Sequence, residues 1–247
     1  MKVIATYNIK GGVGKTASAV NLGYLAARDG FRTLVWDLDP QGAATFYFRI
    51  RPRIKGGGKK LISGKLDLDQ LIRATDFNNL DLLPADFSYR HMDRHLGRSA
   101  SPLASLARLL LPIEAEYDVL ILDCAPSISL VSEAVFVASD VLLVPTIPTI
   151  LSLRTLEQLG DHLRSRGGRR PVVLPFFCMV DGRKSLHRRI VEDPEASSEA
   201  FLNTQIPYSS VVERMGVRRA PLFTYARSSP PSRAYEELWA EVRAVTP

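Results

Sequence analysis

The chain has 247 residues, 46% of them hydrophobic and 23% charged, which is the composition of an ordinary soluble globular protein. A chain of this length buries a sizeable core, and we expect a single α/β domain over residues 1–247. The net charge of +6 favours polyanionic partners, either nucleic acid or an anionic membrane surface, without choosing between them.

Cysteine content and apolar runs exclude several classes of protein. Only Cys124 and Cys178 are present, far apart in sequence, which excludes a disulfide framework or a cysteine zinc site. A reduced, cytoplasmic protein is therefore the simplest expectation. An apolar strand follows Met1 almost at once, so we expect no signal peptide. No apolar run approaches the roughly 20 residues that span a bilayer.

The first elements along the chain form a βαβ unit. Residues 2–8 are an apolar segment of strand length, and a glycine-rich turn occupies residues 10–15. Residues 16–29 place apolar side chains on one face of a helix, which Gly30 is suited to end. The next strand covers residues 31–36. Strand, crossover helix and strand in this order predict a parallel sheet.

Strands and helices alternate along the rest of the chain. Strand-length apolar runs occupy residues 80–83, 119–122, 141–144 and 172–180, and helical patterns occupy residues 100–111, 130–138, 153–166 and 232–244. Near-continuous apolar strands are typical of a sheet covered on both faces. We therefore predict an α/β fold with a doubly wound, mostly parallel sheet and helices on both faces. Residues 49–65, which contain three consecutive glycines and several basic residues, are predicted to form a flexible loop.

The turn after the first strand has the composition of a phosphate-binding loop. Its residues, with the one that follows, are Lys10, Gly11, Gly12, Val13, Gly14, Lys15, Thr16 and Ala17. Glycines let several backbone N–H groups point at one anion, and the helix N-terminus adds partial positive charge. The standard pattern places Lys15 on the β- and γ-phosphates and Thr16 on Mg²⁺, but it requires glycine where this chain has Ile9. The alternative is a glycine-rich turn without a ligand.

Three segments together resemble the ParA/MinD superfamily of deviant Walker ATPases. Residues 10–16 resemble its deviant Walker A motif, residues 37–42 its second motif, and residues 120–127 its Walker B segment, in the same order and with similar spacing. The resemblance runs from Lys2 to the C-terminal helix, and the ParA branch fits best. It implies a P-loop NTPase fold of the deviant Walker A type, with ATP and Mg²⁺ as cofactors.

The resemblance also implies the catalytic residues. Lys10 matches the signature lysine, which reaches the partner subunit's nucleotide in an ATP-dependent dimer, and Lys15 matches the P-loop lysine. Asp39 matches the aspartate that positions or activates the attacking water. From the residues alone, Asp39 before Pro40 could equally be a strand-ending turn.

Residues around Mg²⁺ and around the adenine are implied in the same way. Thr16 is expected to ligate Mg²⁺, and Asp37 and Asp123 match carboxylates that hold it, in part through its waters. Asp123 could instead be a helix cap. Two later segments resemble the family's adenine side more loosely, and the implied contacts are Met179, Asp181 and Pro207.

Arginines cluster towards the C-terminal half, where ParA-like proteins bind DNA without sequence preference. The expected DNA contacts are Arg188, Arg189, Arg214, Arg218 and Arg219. Neutralising phosphates suits such binding, because it needs charge and no base reading. Residues 208–213 contain no basic side chain where close relatives keep one, and a solvated basic face is the alternative. Lys55, Lys59 and Lys60 could add to the DNA surface.

These features predict a ParA-like ATPase that dimerises on ATP and binds nucleoid DNA without sequence preference. A cargo adaptor or ParB-like activator would stimulate slow hydrolysis and so release both. The expected result is the partitioning or positioning of a plasmid, a chromosome or a large protein assembly.

Two other functions stay open on the sequence. A MinD-like membrane-associated ATPase would need a basic amphipathic last helix, and the helix over residues 232–244 has three glutamates on its polar face. Core packing of its apolar stripe is favoured, and no stable membrane anchor is expected. A metabolic or redox ATPase on the same fold, such as an iron–sulfur reductase or an ATP-dependent ligase, is disfavoured because Cys124 and Cys178 suit buried structural thiols.

Overall fold

The computed structural model describes residues 1–64, 66–193 and 200–245, and its centre is an eight-stranded sheet. The strands are β1 (Lys2–Thr6), β2 (Thr33–Asp37), β3 (Arg73–Ala74), β4 (Leu80–Leu83), β5 (Val119–Asp123), β6 (Val141–Thr146), β7 (Val172–Val180) and β8 (Gln205–Pro207). Their order across the sheet is β3-β4-β2-β5-β1-β6-β7-β8. All neighbours are parallel except the two-residue strand β3, which pairs antiparallel with β4 at one edge.

Helices cover both faces of this sheet. They are α1 (Lys15–Arg28), α2 (Ala43–Tyr47), α3 (Gly57–Ile62), α4 (Met92–Leu96), α5 (Ser105–Leu110), α6 (Leu130–Ala138), α7 (Ile150–Ser165), α8 (Ser185–Glu192), α9 (Ser210–Glu213), α10 (Met215–Arg218) and α11 (Pro230–Val245). Short 3₁₀ turns occupy Phe87–His91, Leu111–Ile113 and Leu222–Thr224.

Alternation along the strands divides the core into two layers. Val3 and Ala5 of β1 face a layer built with α3 to α7, whereas Ile4 between them faces a layer built with α1, α2, α10 and α11. Strands β2, β5 and β6 alternate in the same way. Because each strand is buried on both faces, its sequence is an almost unbroken apolar run. The predicted doubly wound fold is confirmed.

The last helix packs into the core. Tyr235, Leu238, Trp239 and Val242 of α11 are buried against the α1 side of the sheet. Its polar face is also engaged, since Glu241 accepts hydrogen bonds from the backbone N–H groups of residues 203 and 204, each at 2.8 Å. Core packing of the stripe is thus confirmed. No helix in the described part of the chain is long and apolar enough to cross a membrane.

Two predicted segments differ from the structure. The flexible loop expected over residues 49–65 contains the helix α3, because Leu61 is fully buried and the positive φ angles of Gly56 (92°) and Gly57 (66°) turn the chain into it. Residue 65 lies outside the described residues. The helix expected over 100–111 begins only at Ser105, since turns that include Pro102 precede it.

A substitution at Gly23 tests how closely α1 packs on the sheet. A Cβ atom at this position would lie 2.6 Å from Val35 Cγ2 of β2, so Gly23→Ala should force α1 away from the strand. We expect the free energy of unfolding to fall by about 1–3 kcal/mol, measured by urea denaturation.

Gly216→Ala is the matched control. Gly216 lies in α10, where an added Cβ meets nothing within 4 Å. Alanine has the higher helix propensity, so this variant should be neutral or up to about 1 kcal/mol more stable. Equal stability of the two variants would contradict the close packing at Gly23.

Candidate functional site

A cleft of about 320 Å³ opens at the carboxyl edge of the sheet, beside the turn between β1 and α1. The lining residues are Gly11, Gly12, Gly14, Lys15, Thr16, Ala17, Asp39, Ala43, Tyr47, Pro126, Cys178, Met179, Ile206, Pro207, Tyr208, Ser209, Val212, Glu213 and Tyr235. Ligands of open α/β sheets bind at this edge. The structure therefore brings most of the predicted loop residues together around one cavity.

The glycine-rich turn leaves the start of α1 free to bind an anion. Gly14 caps the helix in a left-handed conformation (φ 101°), and no side chain hydrogen-bonds to the first helical N–H groups. Gly12 is also left-handed, with φ 70°. A Cβ at Gly14 would lie 2.7 Å from Cys178 Sγ, so only glycine fits there. Unpaired N–H groups and the helix dipole together make a site for phosphate.

The two lysines of the turn differ in their surroundings. Lys15 is 7% exposed, and its Nζ donates to the Lys10 backbone oxygen at 2.8 Å. Burial lowers the pKa of Lys15, and the Asp123 carboxylate opposes that shift. The Lys10 side chain is half-buried and has one long hydrogen bond, 3.4 Å, to Ser152 Oγ at the start of α7. Lys15 is thus fixed over the loop, while Lys10 is weakly held at its rim.

Asn8 anchors the turn to the sheet. Its side-chain oxygen accepts from the Lys10 backbone N–H at 2.9 Å, and its amide nitrogen donates to the Pro145 backbone oxygen at 2.9 Å. Asn8 is almost fully buried, so both bonds form away from water. The loop is therefore fixed to the end of β6 before it reaches α1. The sequence analysis did not single out this residue.

Two carboxylates lie side by side beneath the turn. Asp37 and Asp123 are register partners at the ends of β2 and β5, and both are fully buried. Asp37 accepts hydrogen bonds from the Thr45 N–H (2.8 Å) and hydroxyl (2.7 Å) and from the Asp39 N–H (3.2 Å). Burial nevertheless raises the pKa of Asp37 to about 6, because those bonds offset only part of the desolvation.

Asp123 is the less compensated of the pair. Neither of its carboxylate oxygens has a hydrogen-bond partner among the described residues. Burial raises its pKa well above the usual range, and Asp37 raises it further, whereas nearby Thr16 and Lys15 offset part of the shift. A buried, unpaired carboxylate is costly unless a cation supplies the missing interaction.

This donor set fits a hydrated magnesium ion. Mg²⁺ usually keeps several waters and binds one or two carboxylates together with the phosphates of a nucleotide. Thr16 lines the cleft, and Asp37 and Asp123 lie directly behind it. Among the residues that the structure describes, no group of three His, Cys, Asp or Glu side chains is arranged to hold a metal. The ion would rest on two carboxylates and one hydroxyl.

The remaining predicted loop and carboxylate residues fall at different depths. Asp39 lines the cleft, and its Oδ1 accepts from the Gln41 N–H at 2.9 Å. Val13 is buried and faces the core, so its contribution to the loop is the backbone. Lys10 lies at the rim and is absent from the cleft wall.

The far end of the cleft is formed by β7, β8 and α9. Met179, with a positive φ of 58°, and Pro207 line it, and their contact with adenine stays a prediction. Asp181 does not line it, because its carboxylate pairs with Arg183 at 2.9 Å, which lowers its pKa. The adenine contact proposed for Asp181 has no support from this geometry.

Several lining residues were missed by the sequence analysis. They are Ala43, Tyr47, Pro126, Tyr208, Ser209, Val212, Glu213 and Tyr235. Tyr208 donates to Glu213 at 2.9 Å, which closes the turn after β8. For the residues that follow β8, the only signal in the sequence was the pair Ile206-Pro207 directly before them. Tyr235 reaches the cleft from α11, and no local pattern predicts that.

The five predicted DNA contacts lie on two segments of the chain. Arg188 and Arg189 are exposed on α8, whereas Arg214 and Arg218 are exposed on the segment α9–α10. Arg219 is half-buried, since its guanidinium donates to the Phe46 backbone oxygen at 3.1 Å and lies over the Phe46 ring. Arg219 therefore also fixes α10 to α2.

Both cysteines are buried free thiols in different core layers. Cys124 packs with the α3 to α7 layer and Cys178 with the α1 and α11 layer. Burial raises the pKa of Cys124 well above its usual range and that of Cys178 to about 12. The prediction of structural thiols is confirmed.

Comparison with known proteins agrees with this geometry. A family model described as an AAA domain matches residues 1–166. The sporulation initiation inhibitor protein Soj of Bacillus subtilis is 31% identical over 249 residues, which cover 98% of this chain and 98% of Soj. The chromosome partitioning protein ParA of Caulobacter vibrioides is 30% identical over 250 residues, which cover 98% of this chain and 94% of ParA. The chain belongs to the ParA/MinD superfamily of ATPases.

One solved structure with a bound ATP analogue has the same fold as this chain. Cobyrinic acid a,c-diamide synthase from Mycobacterium smegmatis, with a bound ATP analogue and magnesium, has a TM-score of 0.83 at 23% identity. The match covers 98% of this chain and 94% of that enzyme. At this identity the likeness shows the P-loop NTPase fold alone.

The environment of the Asp123 carboxylate can be tested by stability measurements without any nucleotide. Asp123→Asn removes a buried charge whose oxygens have no hydrogen-bond partner among the described residues, so we expect the free energy of unfolding at pH 8 to rise by about 1–3 kcal/mol without Mg²⁺. A raised pKa in the folded state means that wild-type stability falls as pH rises. The advantage of the variant should therefore shrink as the buffer becomes acidic.

Asp37→Asn is the matched control for this prediction. It removes the same charge from the neighbouring strand but also a carboxylate oxygen that accepts hydrogen bonds. It should give no gain, or a loss of about 1 kcal/mol. Urea denaturation across a pH series measures both variants, and a destabilised Asp123→Asn protein would contradict the geometry.

Proposed function

We propose that this protein is a ParA-like ATPase that uses an ATP-dependent dimer, non-specific DNA binding and partner-stimulated hydrolysis to partition or position a cargo. The chain belongs to a family of partitioning and positioning ATPases, and its cofactors are ATP and Mg²⁺. One observation supports the proposal most directly: the glycine-rich turn at the start of α1 lies beside the Asp123 carboxylate, which has no hydrogen-bond partner among the described residues. That pair of features suits a nucleotide triphosphate with its metal.

Each part of the site then has a task. The backbone N–H groups of residues 11–17 and the Lys15 ammonium bind the phosphates, and Thr16, Asp37 and Asp123 hold Mg²⁺. When bound, the ion neutralises phosphate charge and helps to stabilise the charge that develops in phosphoryl transfer. Asp39, which lines the cleft and is free of ion pairs in the described structure, orients the attacking water. Met179 and Pro207 contact the adenine.

Features at the rim support the dimer. Among the described residues, the Lys10 ammonium has one long hydrogen bond, to Ser152, so it is available to a nucleotide across an interface. Ile128, Ile150 and Leu151, on the segments that follow β5 and β6 at the same edge of the sheet, are each more than half exposed. Apolar side chains around a charged cleft favour a protein surface as their cover.

The DNA part of the proposal rests on charge. Arg189, Arg214 and Arg218 are exposed, and the structure gives them no ion pair among the described residues. Arginine contacts to phosphate fit binding without sequence preference. A dimer doubles the number of such contacts, so DNA affinity would follow the nucleotide state. Release on hydrolysis, stimulated by a cargo adaptor or ParB-like activator, would place the protein on the nucleoid in a cycle.

Two alternatives have less support. A MinD-like membrane protein needs an exposed amphipathic C-terminal helix, but the apolar stripe of α11 is buried. A redox ATPase needs exposed cysteines at a subunit interface, but both thiols are buried. A metabolic function on this fold is the remaining alternative, since cobyrinic acid a,c-diamide synthase shares it. Measuring ATP turnover with and without DNA tests this alternative.

The P-loop assignment is tested by Lys15→Ala. Loss of a buried ammonium that faces the phosphates should weaken ATP binding about tenfold to hundredfold, measured by titration calorimetry with Mg²⁺. Lys55→Ala removes an exposed lysine outside the cleft and should leave the affinity unchanged. Unchanged ATP affinity of the Lys15 variant would remove Lys15 from the site.

Asp39→Ala separates binding from hydrolysis. We expect ATP to bind, phosphate release to slow by about 100-fold or more, and an ATP-bound dimer to persist in light scattering. The exposed Asp67→Ala is the control, with normal turnover. A monomer that hydrolyses ATP at the wild-type rate would contradict both the role of Asp39 and the coupling of ATP to dimerisation.

DNA binding in each nucleotide state is the decisive experiment. With a random-sequence duplex at stated salt, we expect about tenfold or tighter binding in ATP than in ADP, and a loss of affinity as salt rises. Fluorescence anisotropy measures the effect. No binding in any nucleotide state would contradict the proposed function and redirect the tests to lipid vesicles and metabolic substrates.

A further inference from the structure

The positive charge of the chain is concentrated in one segment. Residues 40–113 contain 12 Lys and Arg against six Asp, and so account for a net charge of +6, equal to that of the whole chain. Residues 114–247 contain 15 Lys and Arg against 17 Asp and Glu, a net charge of −2. The basic character of the protein therefore does not originate in the C-terminal half, although many arginines lie there.

Many arginines of the C-terminal half are already engaged. Arg166 pairs with Glu133 at 3.0 Å, and Arg243 pairs with Asp29 at 2.7 Å. The others that bind carboxylates or backbone oxygens include Arg164, Arg169, Arg170, Arg183, Arg188 and Arg219. An arginine that is held in an ion pair contributes less to binding a phosphate, because its partner must first be displaced or remains nearby.

Helices α3, α4 and α5 enclose the α3–α5 pocket, a cavity of about 520 Å³ apart from the nucleotide cleft. Its lining residues are Lys59, Ile62, Ser63, Gly64, His95, Arg98, Ser99, Ser105, Arg108 and Leu109. Lys59 comes from the segment predicted to be a loop, and Arg98 and Arg108 from a region some 40–50 residues later. Packing of α3 against α4 and α5 brings these charges to one concavity.

The charges of this pocket have no acidic counterpart. In the part of the chain that the structure describes, no Asp or Glu forms an ion pair with Lys59, Arg98 or Arg108. Arg108 donates to the Ser101 backbone oxygen at 3.2 Å, which leaves its charge without a carboxylate partner there. Burial lowers the pKa of His95, and the positive charges of Lys59 and Arg98 lower it further. Like charges that converge without counter-ions repel each other, and an anion from outside would relieve that repulsion.

The chemistry of the pocket matches phosphodiester groups. Lysine, arginine and serine side chains are the groups that contact DNA phosphates. Among the described residues, no Asp or Glu lines the cavity to repel a phosphate, and no Phe, Tyr or Trp lines it. Arg90 and Arg94, which are exposed on neighbouring turns, extend the positive charge beyond the cavity. An extended charged strip suits a polymer better than a single small anion.

The α3–α5 pocket and the α9–α10 arginines belong to opposite faces of the sheet. Leu61, Leu96 and Leu106 of α3, α4 and α5 pack on one core layer, whereas Met215 of α10 packs on the other. A DNA duplex that binds the arginines of α9–α10 would therefore leave the α3–α5 pocket accessible to a second contact.

We propose that the α3–α5 pocket, built around Lys59, Arg98 and Arg108, is a second surface for the phosphate backbone of DNA. The proposal rests on the non-specific DNA binding of the proposed function. It assigns a large share of that binding to the N-terminal half of the chain, and it allows one molecule to hold DNA on two faces.

The test compares paired charge-removal variants by anisotropy on a random-sequence duplex, with ATP and Mg²⁺, over a salt series. Lys59→Gln/Arg98→Gln should bind about three- to tenfold more weakly than the wild type, and the slope of log affinity against log salt should fall by about two. ATP affinity should stay unchanged, which shows that the variant is folded.

Lys2→Gln/Arg73→Gln is the matched control. It removes two positive charges from outside the pocket, at the start of β1 and in the edge strand β3, and should change neither affinity nor slope beyond a small effect of net charge. Arg214→Gln/Arg218→Gln should lose part of the binding, and the loss should add to that of the pocket variant.

Three results would overturn the inference. If the pocket variant binds DNA like the wild type or like the control, the pocket has no DNA role, while the proposed function stands. If it loses binding to vesicles of anionic lipid but not to DNA, the surface binds membranes instead. If the wild type binds no DNA in any nucleotide state, the inference fails together with the proposed function.

Discussion

The structure depends on the pairing of Asp37 with Asp123 at the ends of two neighbouring parallel strands. Register between β2 and β5 places these carboxylates side by side in the core, where neither oxygen of Asp123 has a hydrogen-bond partner among the described residues. Such a pair lowers the stability of the folded protein when no cation is bound. The glycine turn, the fixed Lys15 and the hydroxyl of Thr16 all converge on this point. A doubly charged cation with a polyphosphate is the ligand that balances them.

Sequence reasoning succeeded where one local segment holds the whole signal. The turn at residues 10–16 is bounded by a strand and a helix, so its backbone geometry follows from its glycines, and the motifs at Asp37 and Asp123 fall at strand ends. It failed where partners come from distant segments. Tyr235 enters the cleft from α11, a contact that no local pattern predicts. The glycines at 56–58 suggested a loop, but Leu61 is buried by tertiary packing that the sequence does not display.

The basic residues illustrate the same limit. A run of arginines is visible in a sequence, whereas the carboxylate that engages each one is visible only in the fold. Arg166, for example, pairs with Glu133, which lies far from it in the sequence. Conversely, Lys59 and Arg98 are 39 positions apart and become neighbours only because α3 packs against α4. Free charge, not the number of basic residues, decides where a polyanion binds, and free charge is a tertiary property.

Helix α2 connects the buried carboxylate of Asp37 to the arginines of α10. Thr45 donates to Asp37 from both its N–H and its hydroxyl, and the next residue, Phe46, accepts a hydrogen bond from Arg219. Arg49, just beyond α2, donates to the backbone oxygens of Arg218 and Arg219. Asp37 and α10 are thus fixed to the same short helix, so a shift of Asp37 toward a cation moves an element that contacts the C-terminal arginines directly. The α3–α5 pocket lies on the other core layer, where Asp37 makes no such contact. DNA binding at the arginines of α9–α10 should therefore depend on the bound nucleotide more strongly than DNA binding at the α3–α5 pocket.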